Sequence, residues 1–252
     1  MSLLNKIPNN WDEVYLDQFI ELIKINDKDL GFYEKHIEIL SILTDTLPTD
    51  EFWEDIDVSE LNSCISRLKW LSLEPTNSHS KIIQGMECID INKLSFGEFI
   101  DIDYLYAEDR YDNLNKICSI LYRKTKYDEW ENLIYEPYGE YDLDVRKNIF
   151  DELPITSVYG ILKLYFDFKN NITKIYNTIF EPDVEEDEDY DEDSFDEEEQ
   201  KVIKEEKVMQ HWGWENVLYK LSDGDITKYD DLTGLPLVFV LNQLSFIKDM
   251  KL

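Results

Sequence analysis

Few residues of this chain are of types that do chemistry at fixed spacing. The histidines are His36, His79 and His211, and the cysteines are Cys64, Cys88 and Cys118. A zinc site needs His and Cys at short, regular separations, so that four ligands can close a tetrahedron. None of the six has a neighbour at such spacing, so no metal ligand is assigned. An odd number of cysteines without recurring intervals is not a disulfide framework. All three lie in apolar or helical-looking segments and read as small buried residues. The chain has no Gly-x-x-x-x-Gly-Lys-Ser/Thr loop, no Gly-x-Gly-x-x-Gly turn and no Gly-x-Ser-x-Gly elbow. A phosphate cradle and a nucleophilic serine therefore lack their backbone frames. No catalytic residue and no cofactor follow, and the chain reads as a binding protein and not an enzyme.

Carboxylates dominate what remains. There are 56 Asp and Glu against 25 Lys and Arg, for a formal charge of −31. In such a background a pair of acids carries no information. A surface of this sign repels nucleic-acid phosphates and anionic membranes. It suits docking on basic protein surfaces, or lining a passage that nucleic acid crosses without sticking. The densest run is Glu181–Glu199, where 14 of 19 residues are acidic and none is basic. Its centre is Glu185, Glu186, Asp187, Glu188, Asp189, Asp191, Glu192 and Asp193. The glycine and distant Glu of a calcium loop are missing, and self-repulsion predicts an extended acidic linker. Trp212 and Trp214 follow it. Two tryptophans two residues apart cannot face the same helical core, so Trp212, Trp214 and the early Trp11 are candidate protein-interface residues.

The elements that position these groups are helical. Hydrophobic residues make up 43% of the chain, while Gly and Pro number 8 and 7. Apolar residues at helical spacing predict helices over 11–25, 32–43, 58–71, 113–123, 145–152, 155–180, 202–219 and 235–248. Asn10 or Asp12 is placed to cap the first. Ser95 and Glu98 have capping-box spacing and open another, through Tyr106. Residues 128–135 read as a further turn or two, and 221–231 as a turn-rich connection. Residues 81–91 are β-branched and broken by Gly85, which predicts a small hairpin. The fold class is mostly α: a helical bundle with an internal helical repeat and a small hairpin. The organisation is an N-terminal helical unit (1–75), a hairpin with a second helical unit and a long helix (76–180), an acidic linker (181–200) and a C-terminal helical segment (201–252). Met1–Asn10 is too polar for a secretory leader. No stretch nears the roughly 20 apolar residues of a membrane span.

The repeat pairs Gln18-Phe19-Ile20-Glu21-Leu22, Ser41-Ile42-Leu43 and Asp50-Glu51-Phe52 with Glu98-Phe99-Ile100-Asp101-Ile102, Ser119-Ile120-Leu121 and Asp128-Glu129-Trp130. The intervals match closely, which suggests a duplicated helical scaffold.

The opening Ile7-Pro8-Asn9-Asn10-Trp11-Asp12-Glu13-Val14-Tyr15-Leu16, with Ser41-Ile42-Leu43-Thr44 and Leu94-Ser95-Phe96-Gly97-Glu98-Phe99-Ile100-Asp101, resembles small acidic proteins from virion-assembly regions of tailed bacteriophages. The crAss-like phages of gut Bacteroidetes are the group concerned. The resemblance implies a head–tail connector or ring component, a homo-oligomer of about a dozen copies closed by rotation. Its partners would be portal, tail or ring proteins, with no sequence-specific nucleic acid and no membrane. It would sit in the host cytoplasm during assembly and then in the virion. The resemblance also admits a tail-assembly chaperone that is absent from the mature particle. From charge alone, a third expectation is an acidic regulator that mimics nucleic acid.

Overall fold

The computed structural model describes residues 3–46, 53, 56–109, 111–131, 133–139, 141–180 and 213–250. The chain is mostly helical, with a small four-stranded antiparallel sheet. It divides into two compact units. One comprises Met1–Ile91 and Ile102–Asp167; the other comprises Asn92–Asp101 and Phe168–Leu252. The units are not consecutive stretches, so they cut across the organisation drawn from composition. The acidic run at 181–199 lies outside the described residues. Among the described residues no helix is long and apolar enough to cross a membrane.

In the first unit the chain does not form one helix over 11–25. A 3-10 turn covers Trp11–Glu13, Val14 and Tyr15 are extended, and the α-helix runs Leu16–Ile25. The break is imposed from far along the sequence. Tyr15 forms an isolated antiparallel bridge with Pro154, 139 residues later. The Leu16 N–H donates to the Leu153 carbonyl at 2.9 Å, and the Ile155 N–H donates to the Val14 carbonyl at 2.8 Å. Both bonds belong to residues flanking the bridged pair, so Pro154 occupies a ladder position where no N–H is required. Proline also favours an extended residue before it. The Tyr15 N–H points off the bridge and is caught by Gln18 Oε1 at 3.1 Å.

The second unit repeats this clasp. A 3-10 turn at Ile91–Lys93 leads into Leu94, and Ser95 bridges Pro236, 141 residues later. The Phe96 N–H donates to the Leu235 carbonyl at 2.8 Å, and the Leu237 N–H donates to the Leu94 carbonyl at 3.0 Å. The expected capping box forms: the Ser95 N–H donates to Glu98 Oε2 at 2.7 Å, and the Glu98 N–H donates to Ser95 Oγ at 3.2 Å. Helices Phe96–Glu108 and Leu237–Met250 leave the two sides of this clasp. Their buried residues Phe96, Phe99, Leu237 and Val240 belong to the second core.

Other parts of the repeat also take like positions. Ser41 and Ser119 are both buried. Each returns its hydroxyl to the carbonyl four residues back, Ile37 at 2.7 Å and Asn115 at 2.9 Å. The last pair of segments does not compare: Asp50–Phe52 lies outside the described residues, and Asp128–Trp130 is a β-turn.

The sheet is larger than the sequence suggests. Strands β1 (Ile82–Ile83) and β2 (Met86–Cys88) make the expected hairpin around Gln84 and Gly85, whose φ values are +46° and +78°. Two positive φ angles give a turn whose twist matches the strands. Beyond the helix Leu114–Leu121, the chain enters β3 (Tyr122–Tyr127) and returns as β4 (Leu133–Tyr135), completing the order β1-β2-β3-β4. The helical expectation for residues 128–135 is therefore corrected. Tyr122-Arg123-Lys124-Thr125-Lys126-Tyr127 alternates along a pleat. Asp128 Oδ1 accepts the Trp130 N–H at 2.9 Å, and Glu131 takes φ +62°, which turns the chain. Side chain–backbone bonding by Asp competes with helix at such a position.

The helix Tyr159–Ile175 starts against the loop before β1. The Ser80 N–H donates to the Ser157 carbonyl at 2.8 Å, and the Gly160 N–H donates to the Ser78 carbonyl at 3.0 Å. A Cβ on Gly160 would stand 2.6 Å from the Ser78 carbonyl group. Backbone cannot yield there as a side-chain tip can. Gly160→Ala is expected to cost about 1–3 kcal/mol, read as a lower urea midpoint with unchanged slope.

Candidate functional site

The residues singled out from sequence for binding separate in the structure. Trp214 is a core residue. Its ring meets Phe96, Phe99 and Phe180 edge to face at 5.5, 5.7 and 5.8 Å. Gly213 precedes it with φ +49° and begins the helix Trp214–Leu221, which escapes the two-residue spacing conflict. Trp214 is therefore the member of the Trp212–Trp214 pair that lies in a core. Trp212 and the acidic residues 185–193 lie outside the described residues. Trp11 is half-buried. Its Nε1 donates to the Leu73 carbonyl at 2.7 Å, and its ring packs on Trp70 at 5.0 Å and Phe19 at 5.6 Å. Trp130, at the turn between β3 and β4, is 78% exposed.

The three cysteines, His36 and His79 are among the described residues, and His211 lies outside them. Cys64 and Cys118 are buried and Cys88 is half-buried, all as free thiols. Burial, followed by the nearby Glu87 carboxylate, pushes the Cys88 thiol up to about 12, so it stays protonated. Burial drives Cys118 up as well. His36 lies on an exposed helix, where its Nδ1 is 2.7 Å from the Phe32 carbonyl oxygen. Burial and then Lys81 lower His79. Among the described residues no three His, Cys, Asp or Glu side chains converge closely enough to hold a metal ion.

A shallow, open cleft of about 450 Å³ lies in the first unit, beside its clasp. Helix Leu16–Ile25 supplies Asp17, Gln18, Ile20 and Glu21. The end of helix Phe32–Thr44 supplies Ile42 and its left-handed cap Asp45. Asp112 comes from the turn before helix Leu114–Leu121, Asn115 from its first turn, and Asp151 precedes the proline of the clasp. Five carboxylates line the cleft, with no Lys or Arg among its described lining residues. Lys24 reaches two of them, ion-pairing with Asp112 and with Glu21 (2.9 Å). Partial burial opposes its charge, but these two carboxylates prevail and raise it. Asn115 Nδ2 donates to Asp151 Oδ1 at 2.7 Å. Asp17 is the strained member. Burial raises it above 3.8, the Asp151 and Asp45 charges push the same way, and the Gln18 N–H at 2.7 Å resists.

The second clasp shows what this position does without charge. Asp17 lies two residues after the bridged Tyr15, and Asp151 three before the bridged Pro154. The matching residues of the second unit are Gly97 and Thr233, so closely packed that a Cβ on Gly97 would lie 2.9 Å from the Thr233 Cβ. One clasp closes on a glycine; the other sets two carboxylates, Asp17 and Asp151, in the lining of an open cleft. These acids were unremarkable in the sequence because 56 carboxylates hide any five.

Such an arrangement can attract a guanidinium or ammonium group on a flexible arm, because the summed charge of its carboxylates favours a cation there. No family model matches the chain, and no curated protein or solved structure is significantly similar to it.

A carboxyl raised by folding binds its proton more readily in the folded state. Its ionisation therefore opposes folding; the penalty is absent below the usual 3.8 and present once pH exceeds the folded-state value. Solvent screening keeps it small. Asp17→Asn is expected to raise Tm by on the order of 1–2 °C at neutral pH. The gain should fade as the pH is lowered to 3.8. A lower Tm at neutral pH would mean that a favourable contact holds the carboxylate.

Proposed function

We propose that this chain is a non-enzymatic protein of tailed-phage assembly, a head–tail connector or ring component that docks on portal or tail proteins around the DNA passage. The observation that carries the reading is the convergence of five carboxylates on one cleft beside the first clasp. Lys24 offsets Asp112 and Glu21, while Asp45 and Asp151 raise Asp17 against one another's charge, a modest cost that a partner's cation removes. A basic side chain from a neighbouring virion protein relieves that cost and fixes the register of docking. The overall charge of −31 supports the same role, because a DNA strand passing such a surface is repelled and does not adhere. The resemblance of the opening segment to phage virion-assembly proteins supplies the setting.

The test uses purified particles of the source phage and the purified chain with its portal. Peptide quantification is expected to find the chain in mature particles at a fixed ratio to portal. Binding to portal should weaken as salt rises. Asp17→Lys combined with Asp45→Lys should weaken it about tenfold or more. Absence from mature particles, together with a complex on a tail protein, would replace this reading with an assembly chaperone.

A further inference from the structure

The C-terminal helix Leu237–Met250 is apolar on two sides. One side belongs to the core of the second unit, where Leu237, Val240 and Leu241 are buried. The other side is left open by the described residues. Phe239 is 50% exposed, and Phe246 and Met250 are each 56% exposed. With about 100° of rotation per residue, positions 239, 246 and 250 fall within about 40° of one another. Gln243 lies on the same line and is exposed. From Leu237 to Ile247 the helix carries no charged residue, in a chain that is 32% charged.

We infer that this stripe is a self-association surface, whose occupant is the same helix of a second copy of the chain. Charge selects that occupant. Two molecules of net charge −31 repel wherever charged faces approach, so copies can meet closely where the surface is uncharged. A basic partner, by contrast, gains nothing on a neutral stripe. The pattern is also self-complementary about a twofold axis. With two such helices antiparallel and the axis between positions 242 and 243, Phe239 of one copy faces Phe246 of the other. Asn242 then faces Gln243. Asn242 Oδ1 already accepts the Tyr176 hydroxyl at 2.9 Å, which leaves its amide N–H to donate to the Gln243 of the other copy. The two Phe and one Met offer roughly 300 Å² of apolar surface per copy. That is enough for the centre of a contact of roughly 800 Å² per partner. The inference is independent of the connector reading, since it concerns the isolated chain.

Sedimentation equilibrium of the full chain, up to about 200 µM, reads it directly. A monomer–dimer equilibrium is expected. Raising NaCl from about 0.05 M to about 0.5 M should tighten it severalfold, because salt screens the repulsion opposing an apolar contact. Phe239→Asp with Phe246→Asp should weaken dimerisation at least about tenfold. Circular dichroism and the melting curve should be unchanged, since both side chains are exposed. Gln243→Cys should cross-link two copies through a short bis-maleimide. Monomers at every salt concentration would overturn the inference. So would dimers that loosen as salt rises, or assemblies that the double variant leaves intact. Whether the chain occurs in phage particles bears on none of these readings.

Discussion

Two hydrogen bonds hold residue 15 against residue 154, and two more hold residue 95 against residue 236; the rest of the fold is arranged around these clasps. Each takes one residue out of a run that would otherwise continue as helix and sets it in extended conformation. The helix that follows is then aimed by the bridge and by its own capping side chain, Gln18 or Glu98. The proline on the far side is compatible because an antiparallel ladder alternates between bonded and non-bonded pairs, and it occupies the non-bonded kind. A bridge this short contributes little energy by itself. Its effect is to fix where apolar faces begin, so that Leu16 and Ile20 in one unit, and Phe96, Phe99 and Ile100 in the other, are presented to their cores.

Charge is layered onto this scaffold unevenly. The second clasp is packed through Gly97 and Thr233, while the first brings Asp17 and Asp151 together. The difference separates a joint closed by packing from one that leaves charge at the surface. Electrostatic cost accepted at one copy and not at the other marks the place where selection for folding alone is an insufficient account. The exposed Phe239, Phe246 and Met250 mark a second such place of opposite character, neutral and apolar where most of the chain is neither. A molecule with one strongly anionic recess and one uncharged stripe offers two chemically distinct modes of contact.

Much of the scaffold was legible from residue types. Helical periodicity located the helices 32–44 and 237–250, Ser95 and Glu98 announced their capping box, and Gly85 announced the first hairpin. What escaped was decided at long range. Nothing near Tyr15 reveals that Pro154 will claim it, so the helix expected over 11–25 starts late. Tyr122–Tyr127 joins a sheet because β2 offers an open edge, which local propensity does not report. Trp214 looked exposed through its spacing from Trp212, but the positive φ at Gly213 puts it at the start of a helix and into a core. The cleft was least legible of all. Its carboxylates come from four separate stretches, and abundance masked each one.

The interleaving of the two clasps has a consequence for how the chain comes into being. Ser95 is made long before Pro236, and the first clasp needs residue 154 before it can shut. At roughly 5–20 residues per second, an emerging chain waits on the order of ten seconds between the opening half of each clasp and its closing half. During that interval Phe96 and Phe99 have no second core to enter. A strongly acidic chain is well suited to such a delay, because unfinished molecules on neighbouring ribosomes repel one another while their apolar residues are still uncovered.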